Sequence, residues 1–239
     1  MREQFIRTEM LLGAEALARL QRARVALFGL GGVGGYALEA LARSGIGQLD
    51  LIDNDTVSVS NLNRQILATH STVGMPKVEA GKRRVLDINP DCVVRTYPLF
   101  YTPDTAGTFD FSQYDYVVDA IDTVTGKLAL VQQAHDVGVP IISCMGTGNK
   151  LHPELLEVQD ISRTRMCPLA RVMRRELKNR GIDALRVVYS PEEPIKPLPL
   201  CDVEGRRAVP GSVSFVPGAA GLMAAGEAIR FLAQHSRET

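Results

Sequence analysis

A glycine-rich turn near the amino terminus has the spacing of a phosphate-binding loop. Gly29, Gly31 and Gly34 in "GLGGVG" satisfy G-x-G-x-x-G between an apolar segment and a helical one. The first glycine permits a tight turn and the second lets a phosphate approach the backbone. The third lets the helix pack closely, with its positive N-terminus facing the anion. Asp53 follows the next apolar segment, where a carboxylate can bind a ribose hydroxyl. These residues alone predict a bound adenosine phosphate, most often NAD or FAD.

Polar residues beyond Asp53 change this prediction. Asn61, Arg64 and Gln65 lie in "SNLNRQ", and Lys77 opens the next predicted helix. A dinucleotide has one bridging diphosphate, which a helix N-terminus already neutralises. Two further cations better suit a triphosphate, whose charge must be stabilised during reaction. A single Arg or Lys would more simply be a solvated surface residue, but together these side chains favour ATP.

Two aspartates end the fourth predicted strand. Asp119 and Asp122 lie in "VVDAID", and ligands of open parallel sheets bind at the carboxyl ends of the strands. A carboxylate beside phosphates there can hold Mg²⁺. We expect Asp122 to be better placed for this role than Asp119. The alternative is that these aspartates cap a helix that begins near Thr125.

The elements that position these residues alternate between strand and helix. Apolar segments at 24–29, 48–53, 92–99, 114–122 and 139–146 predict strands, and the patterns at 33–45, 76–90 and 125–138 predict helices. This order predicts an α/β fold with a doubly wound, Rossmann-like and mostly parallel sheet. After Gly148 we expect antiparallel additions: an edge strand at 155–161, a basic helix at 168–181 and a strand at 185–190. From Ser212 onward, a strand and a helix are expected to close the fold.

Composition indicates a single domain spanning residues 1–239. The Pro-rich excursion at 191–211 is too long and irregular for a simple connection, so it is either a functional lid or a partly disordered segment. The apolar stretch 213–233 contains Pro217, Glu227 and Arg230, which indicates a buried helix and no membrane association.

Charge and cysteine content are those of a reduced cytoplasmic protein. Basic and acidic residues number 27 each, so net charge does not attract the chain to nucleic acid or membrane. The four cysteines form no CxxC pair, which argues against a disulfide framework or a four-cysteine zinc site. Cys201, in the excursion, is the cysteine best placed to react, although the simpler interpretation gives it no chemical role.

The motifs together resemble the ubiquitin-activating-enzyme-like superfamily, which includes the ThiF-type adenylyltransferases. The resemblance rests on "GLGGVG", D-x-D at 53–55, "SNLNRQ", "VGMPKVE" and "DAID", in this order. Within the superfamily, "RTEMLLGAEALARL", "CPLARVMRRELKNRG" and "PGSVSFVPGAAGLMAAGEAI" are similar to the tRNA threonylcarbamoyladenosine dehydratase branch. The resemblance therefore implies a nucleotide site for ATP and Mg²⁺ and not for NAD.

It also implies roles for individual residues. Gly31, Gly32 and Gly34, beside Gly29, would line the phosphate cradle, and Asp53 would hold the ribose. The residues implied to contact the triphosphate are Asn61, Arg64, Gln65 and Lys77. Asp122 would position Mg²⁺. Arg7 matches an arginine that relatives supply from a partner subunit to the γ-phosphate, which implies a twofold homodimer with sites completed across the interface.

The reaction implied by the superfamily is adenylation of a carboxylate. In the dehydratase branch, the threonine carboxylate of threonylcarbamoyladenosine in tRNA attacks the α-phosphate, and a nearby nitrogen then closes a ring and expels AMP. The alternative substrate is the Gly-Gly carboxyl terminus of a small sulfur-carrier protein, although many such enzymes carry CxxC pairs that this chain lacks. A non-catalytic nucleotide-binding module is disfavoured by Arg64, Lys77 and Asp122. An NAD-linked oxidoreductase is disfavoured because no proton-transfer pair is recognisable.

A basic segment, Arg163–Arg186, agrees with a tRNA substrate. It contains only two acidic residues, and its cations are Arg163, Arg165, Arg171, Arg174, Arg175, Lys178, Arg180 and Arg186. Such a cluster can neutralise RNA phosphates without reading sequence, and the alternative is a solvated helix face. The expected partners are tRNA, near its anticodon, and a second copy of the chain. A sulfur-transfer protein stays an open alternative, and no DNA is expected.

Overall fold

The structure, a computed structural model, describes residues 3–198 and 210–235. Within these ranges seven strands form one sheet in the order β3-β2-β1-β4-β5-β7-β6, parallel except for the β6–β7 pair. The strands are β1 Arg24–Phe28, β2 Gln48–Ile52, β3 Val93–Tyr97, β4 Tyr116–Asp119, β5 Ile141–Cys144, β6 Glu157–Asp160 and β7 Arg186–Tyr189. The predicted doubly wound, mostly parallel sheet with an antiparallel edge is therefore confirmed.

Seven α-helices are present in the described ranges. They are α1 Ile6–Leu12, α2 Ala14–Arg22, α3 Gly34–Arg43, α4 Lys77–Ile88, α5 Val124–Asp136, α6 Pro168–Lys178 and α7 Phe215–Gln234. α3, α4 and α5 are the crossovers between parallel strands, because a parallel connection needs a helix-length segment to return to the same edge.

α7 packs tightly on α3. By length and composition α7 could cross a membrane, yet half of its apolar window is buried inside the protein. The close approach occurs at Gly221, where an added Cβ would lie 2.1 Å from the carbonyl oxygen of Val33. A larger residue there would separate the two helices. α7 is therefore a core helix of this fold, as its interrupting Pro217 and charged residues indicated.

The expected strand after Ser212 is wrong. Residues 210–214 form no strand, and α7 begins directly at Phe215. Gly211 instead hydrogen-bonds to Asn149 in a loop, and the Ser212 carbonyl accepts from Asn63. Residues 210–214 therefore bond to loop residues and not to a strand of the sheet. Residues 199–209 of the predicted excursion lie outside the described residues.

Strand order places a crevice between β1 and β4. The chain runs outward through β2 and β3 on one side and through β4 and β5 on the other, so the direction of winding reverses there. Phe28 at the end of β1 is in register with Asp119 at the end of β4. The loops that follow both strands consequently meet at a topological switch point, where open α/β sheets bind ligands.

Candidate active site

A cavity of about 660 Å³ occupies this switch point. Its walls come from the loops after the five strands β1 to β5 and from the starts of α4, α6 and α7. The predicted nucleotide-contacting residues that line it are Gly29, Gly31, Gly32, Asp53, Asn61, Arg64, Gln65, Lys77 and Asp122. The fold thus brings together residues that are spread from Gly29 to Asp122 along the chain.

The glycine loop leaves space for an anion because side chains are excluded from it. Gly29 has φ +89°, and an added Cβ would lie 2.7 Å from the Ala120 carbonyl oxygen. An added Cβ on Gly34 would lie 1.8 Å from the Gly29 carbonyl oxygen, so Gly34 packs α3 onto the loop and does not line the cavity. The N-terminal turn of α3 therefore points its free amides at the cavity.

Asp53 and Lys77 are held in fixed positions on one wall. Asp53 accepts hydrogen bonds from the backbone amides of Leu30 at 2.7 Å and Asp55 at 2.8 Å. The Lys77 side chain is largely buried, and its Nζ lies 2.6 Å from the Asp55 carboxylate and 4.0 Å from that of Asp53. The ammonium is therefore presented to the cavity at the carboxyl end of β2.

The "SNLNRQ" loop is ordered by its own side chains. Asn61 accepts the Ser58 amide through Oδ1 at 3.1 Å, which closes a capping box. Arg64 donates from Nη1 to the Ser60 carbonyl at 2.8 Å and to Asn63 Oδ1 at 2.9 Å. Its Nε and Nη2 make no hydrogen bond with the described residues, so these donors are available to a ligand.

The two aspartates after β4 have different environments. Asp119 is fully buried, and Lys127 Nζ lies 3.0 Å from its carboxylate. Asp122 is exposed in the cavity wall and forms no hydrogen bond or ion pair with the described residues. Neither caps α5, whose N-cap residue is Thr123 and lacks a side-chain cap, so the capping alternative is wrong.

The donor set fits Mg²⁺ bound with a phosphate ligand. Among residues 3–198 and 210–235 no group of three His, Cys, Asp or Glu side chains could hold a metal alone. Mg²⁺ is commonly bound through one or two carboxylates together with phosphate oxygens and waters. Asp122 supplies such a carboxylate beside the glycine loop.

The family model described as ThiF family matches residues 5–239. This chain belongs to the ThiF family. A tRNA threonylcarbamoyladenosine dehydratase from Bacillus subtilis is 41% identical over 239 residues, which cover 96% of this chain and 94% of the relative. The structure of the Escherichia coli tRNA N6-threonylcarbamoyladenosine dehydratase, TcdA, in complex with ATP matches with a TM-score of 0.88 and 35% identity. That match covers 97% of this chain and 94% of TcdA.

A second branch of relatives matches less of the chain. Adenylyltransferase and sulfurtransferase UBA4 from Vanderwaltozyma polyspora is 40% identical over 138 residues, 58% of this chain and 31% of that protein. The chain spans about a third of the length of this relative.

The ThiF-family cavity also has an apolar wall that the sequence patterns did not identify. Leu99, Phe100, Tyr101 and Ile121 line it, near Asp53. The Tyr101 ring packs edge-on against Phe28 at 4.9 Å between ring centroids. The only sequence signal was the cluster "PLFY" just after β3, which could equally have been an ordinary loop. This wall is suited to the face of a purine base.

Cys144 is the cysteine that lines this ThiF-family cavity among the described residues. Burial raises the pKa of its thiol to about 12. The thiol is consequently protonated at neutral pH and is a poor nucleophile. Cys201 lies outside the described residues, so its chemical role remains untested.

Arg7 is not brought to the cavity of its own chain. Arg7 is exposed on α1. Phe5, two residues earlier, lies beside Gly45, which follows the C-terminal end of α3, whereas the glycine loop precedes the N-terminal end of that helix. α3 has 10 residues, about 15 Å of helix. Arg7 is accordingly not among the residues that line the cavity of its own chain.

Five of the eight cations in the basic segment are engaged in local interactions. Arg174 donates to two backbone carbonyls and to the Thr164 hydroxyl. The cations paired with carboxylates are Arg165, Arg175, Arg180 and Arg186. Arg163, Arg171 and Lys178 are exposed and form no side-chain hydrogen bond or salt bridge with the described residues, although the charge of Arg163 helps to lower the pKa of Asp160. The N-terminal end of α6 reaches the cavity through Leu169.

Proposed function

We propose that this ThiF-family protein catalyses the ATP-dependent dehydration of threonylcarbamoyladenosine in tRNA. The observation that carries the proposal is the cavity at the β1–β4 switch point, which joins an anion-binding glycine loop to Arg64, Lys77 and Asp122. Near full-length similarity to the Bacillus subtilis dehydratase supports the same substrate. The nucleotide is ATP, and we place the enzyme in the cytoplasm with its tRNA.

The residues of the cavity would hold each part of ATP separately. The apolar wall of Leu99 and Phe100 receives the base, and Asp53 accepts from the ribose hydroxyls. The amides at the start of α3 and the side chains of Arg64 and Lys77 bind the phosphates. Mg²⁺, held by Asp122 with phosphate oxygens, would help to neutralise the charge on the departing pyrophosphate.

Adenylation needs positioning and charge stabilisation more than covalent chemistry. A carboxylate oxygen of the threonyl group forms a bond to the α-phosphorus, and the bond from that phosphorus to the β-phosphate oxygen breaks. Arg64 and Lys77 stabilise the negative charge that passes to pyrophosphate. The products of this step are an acyl adenylate and pyrophosphate.

Ring closure then requires no nucleophile from the protein. A nitrogen of the same modified base attacks the acyl carbon, the carbon–oxygen bond to AMP breaks, and the proton of that nitrogen passes to solvent. One carboxylate oxygen leaves with AMP, so the nucleoside loses one water overall. The protonated thiol of Cys144 agrees with this intramolecular scheme.

The sulfur-carrier alternative is supported less well. The UBA4 relative matches only 58% of this chain. No CxxC pair is present in the sequence. A sulfur-transfer partner protein would belong to that alternative.

The substrate test measures AMP release by the purified protein under three conditions. We expect release with tRNA that carries threonylcarbamoyladenosine, and none with tRNA that lacks it or with a Gly-Gly-terminated carrier protein. Pyrophosphate exchange that depends on the carrier, with no response to modified tRNA, would instead favour the alternative.

We also propose that the exposed cations Arg163, Arg171 and Lys178 contact tRNA phosphates. They are the exposed members of the basic segment that form no side-chain hydrogen bond or salt bridge with the described residues. Because α6 begins at the cavity, Arg171, in the first turns of this helix, is expected to lie near the place where the modified base would enter.

The active form is proposed to be a homodimer in which α1 contacts the partner. Met10 and Leu11 are 80% and 87% exposed, and Ile6 is also exposed. At helical spacing, Arg7 lies on the same stripe as these side chains. A second copy of the chain that covers this apolar stripe would also be in contact with Arg7.

Complementation tests this arrangement. Arg7→Ala and Asp122→Ala are each expected to be inactive as homodimers, whereas co-expressed chains should recover about a quarter of wild-type activity. Half of the random dimers are mixed, and one of their two sites is intact. Activity no higher than that of either single variant would show that Arg7 does not act across the interface.

A further inference from the structure

Asn63 connects the phosphate-binding loop to the segment that precedes α7. Its Nδ2 donates to the Ser212 carbonyl at 3.0 Å, and its Oδ1 accepts from Arg64 Nη1 at 2.9 Å. Only this orientation of the amide satisfies both partners, since a guanidinium only donates and a carbonyl only accepts. The position of Arg64 therefore depends on where Ser212 lies.

Asn149 fixes the position of Ser212 from the other side. Its backbone amide donates to the Gly211 carbonyl at 2.8 Å, and its Oδ1 accepts from the Gly211 amide at 2.6 Å. Its carbonyl accepts from the Ile195 amide at 2.8 Å. Asn149 has φ +60°, a left-handed conformation that asparagine tolerates better than most residues.

Both asparagines form hydrogen bonds with the segment 210–212, which forms part of the cavity wall. Pro210 and Ser212 line the cavity, as do residues 146–148. An added Cβ on Gly148 would lie 2.9 Å from the Pro210 Cβ, so the two loops are in close contact. Neither asparagine is itself in the cavity wall, which separates their role from direct contact with a ligand.

We propose that Asn63 is a positioning residue for Arg64. We also propose that the two hydrogen bonds between Asn149 and Gly211 determine where Asn63 holds the Arg64 guanidinium. The chain of contacts runs from Asn149 through Gly211 and Ser212 to Asn63 and the guanidinium. This inference rests on the proposed function in one respect, that Arg64 binds the phosphates of ATP.

The test measures ATP affinity by calorimetry without tRNA, together with thermal unfolding of the free protein. Asn63→Ala is expected to raise the Kd for ATP about three- to tenfold, the effect of losing one ordinary hydrogen bond, because Arg64 keeps its bond to the Ser60 carbonyl. The Tm without ATP should stay at the wild-type value, because Asn63 is exposed. Asn149→Gly keeps the left-handed backbone and removes only the side-chain bond, so a smaller increase in Kd is expected.

The double variant shows whether Asn63 affects ATP binding through Arg64 or in some other way. In an Arg64→Ala background, Asn63→Ala should change the Kd less than about twofold, since the group that it positions is gone. Gln132→Ala is the matched control, because its amide makes one side-chain hydrogen bond on α5 away from the cavity.

Two results would overturn the role of Asn63: a wild-type Kd for Asn63→Ala, or an equal loss with and without Arg64. Wild-type protein that failed to bind ATP would overturn the proposed function itself.

Discussion

Asp122→Asn is expected to reduce AMP formation on modified tRNA by about 100-fold or more, while leaving the protein folded. The Asp122 carboxylate is exposed in the cavity and forms no hydrogen bond or ion pair with the described residues. We therefore propose that its charge stabilises a bound group and not the fold. The substitution would remove the proposed anchor for Mg²⁺ but no core contact.

The measurement pairs the initial rate of AMP release with the Tm of the variant. Asp136→Asn, at the exposed end of α5, is the matched control and should retain the wild-type rate. An unchanged Tm with a lost rate supports the assignment of Asp122. A wild-type rate for Asp122→Asn would show that the metal-binding residue has been misassigned.

Lys127→Met is expected to lower the free energy of unfolding by about 3–5 kcal/mol. Lys127 is completely buried, and its Nζ donates to both Asp119 oxygens, at 3.0 and 3.1 Å. It also donates to the Ser143 hydroxyl at 3.3 Å and the Cys144 carbonyl at 2.7 Å. The substitution would leave the Asp119 carboxylate buried without its cation.

Urea unfolding of Lys127→Met checks this expectation, with Lys178→Met as the control for loss of an exposed lysine. The double variant Lys127→Met, Asp119→Leu should regain part of the stability, because it leaves no unpaired charge. An unfolding free energy for Lys127→Met within about 1 kcal/mol of wild type would contradict the account. Since domains are stable by about 5–15 kcal/mol, the expected loss is a large fraction of the total.

Local patterns were sufficient to predict the nucleotide end of the fold. The glycine loop and Asp53 directly follow β1 and β2, Asp122 lies three residues after the end of β4, and parallel strands bring their carboxyl ends to one edge. Alternation of strand and helix then determined which residues would meet. This is why the pattern of residues 24–146 predicted the elements and the polar part of the cavity wall, although not its apolar part.

Contacts between distant segments were not predictable in the same way. The hydrogen bond between Asn63 and Ser212 joins residues separated by most of the chain, and no periodicity signals it. The same proximity explains why the expected strand after Ser212 is absent. The same holds for the basic segment. Its charges can be read from the sequence, but the hydrogen bond from Arg174 to Thr164 cannot.

The most direct test of the reaction follows the oxygen atom that dehydration removes. The protein would be incubated with ATP and tRNA whose threonylcarbamoyl carboxylate is labelled with a heavy oxygen isotope. The masses of AMP and of the digested nucleosides would then be measured by mass spectrometry. We expect a nucleoside lighter by one water and AMP that carries one heavy oxygen. A nucleoside of unchanged mass, or a heavy oxygen found in inorganic phosphate and not in AMP, would contradict the proposed reaction.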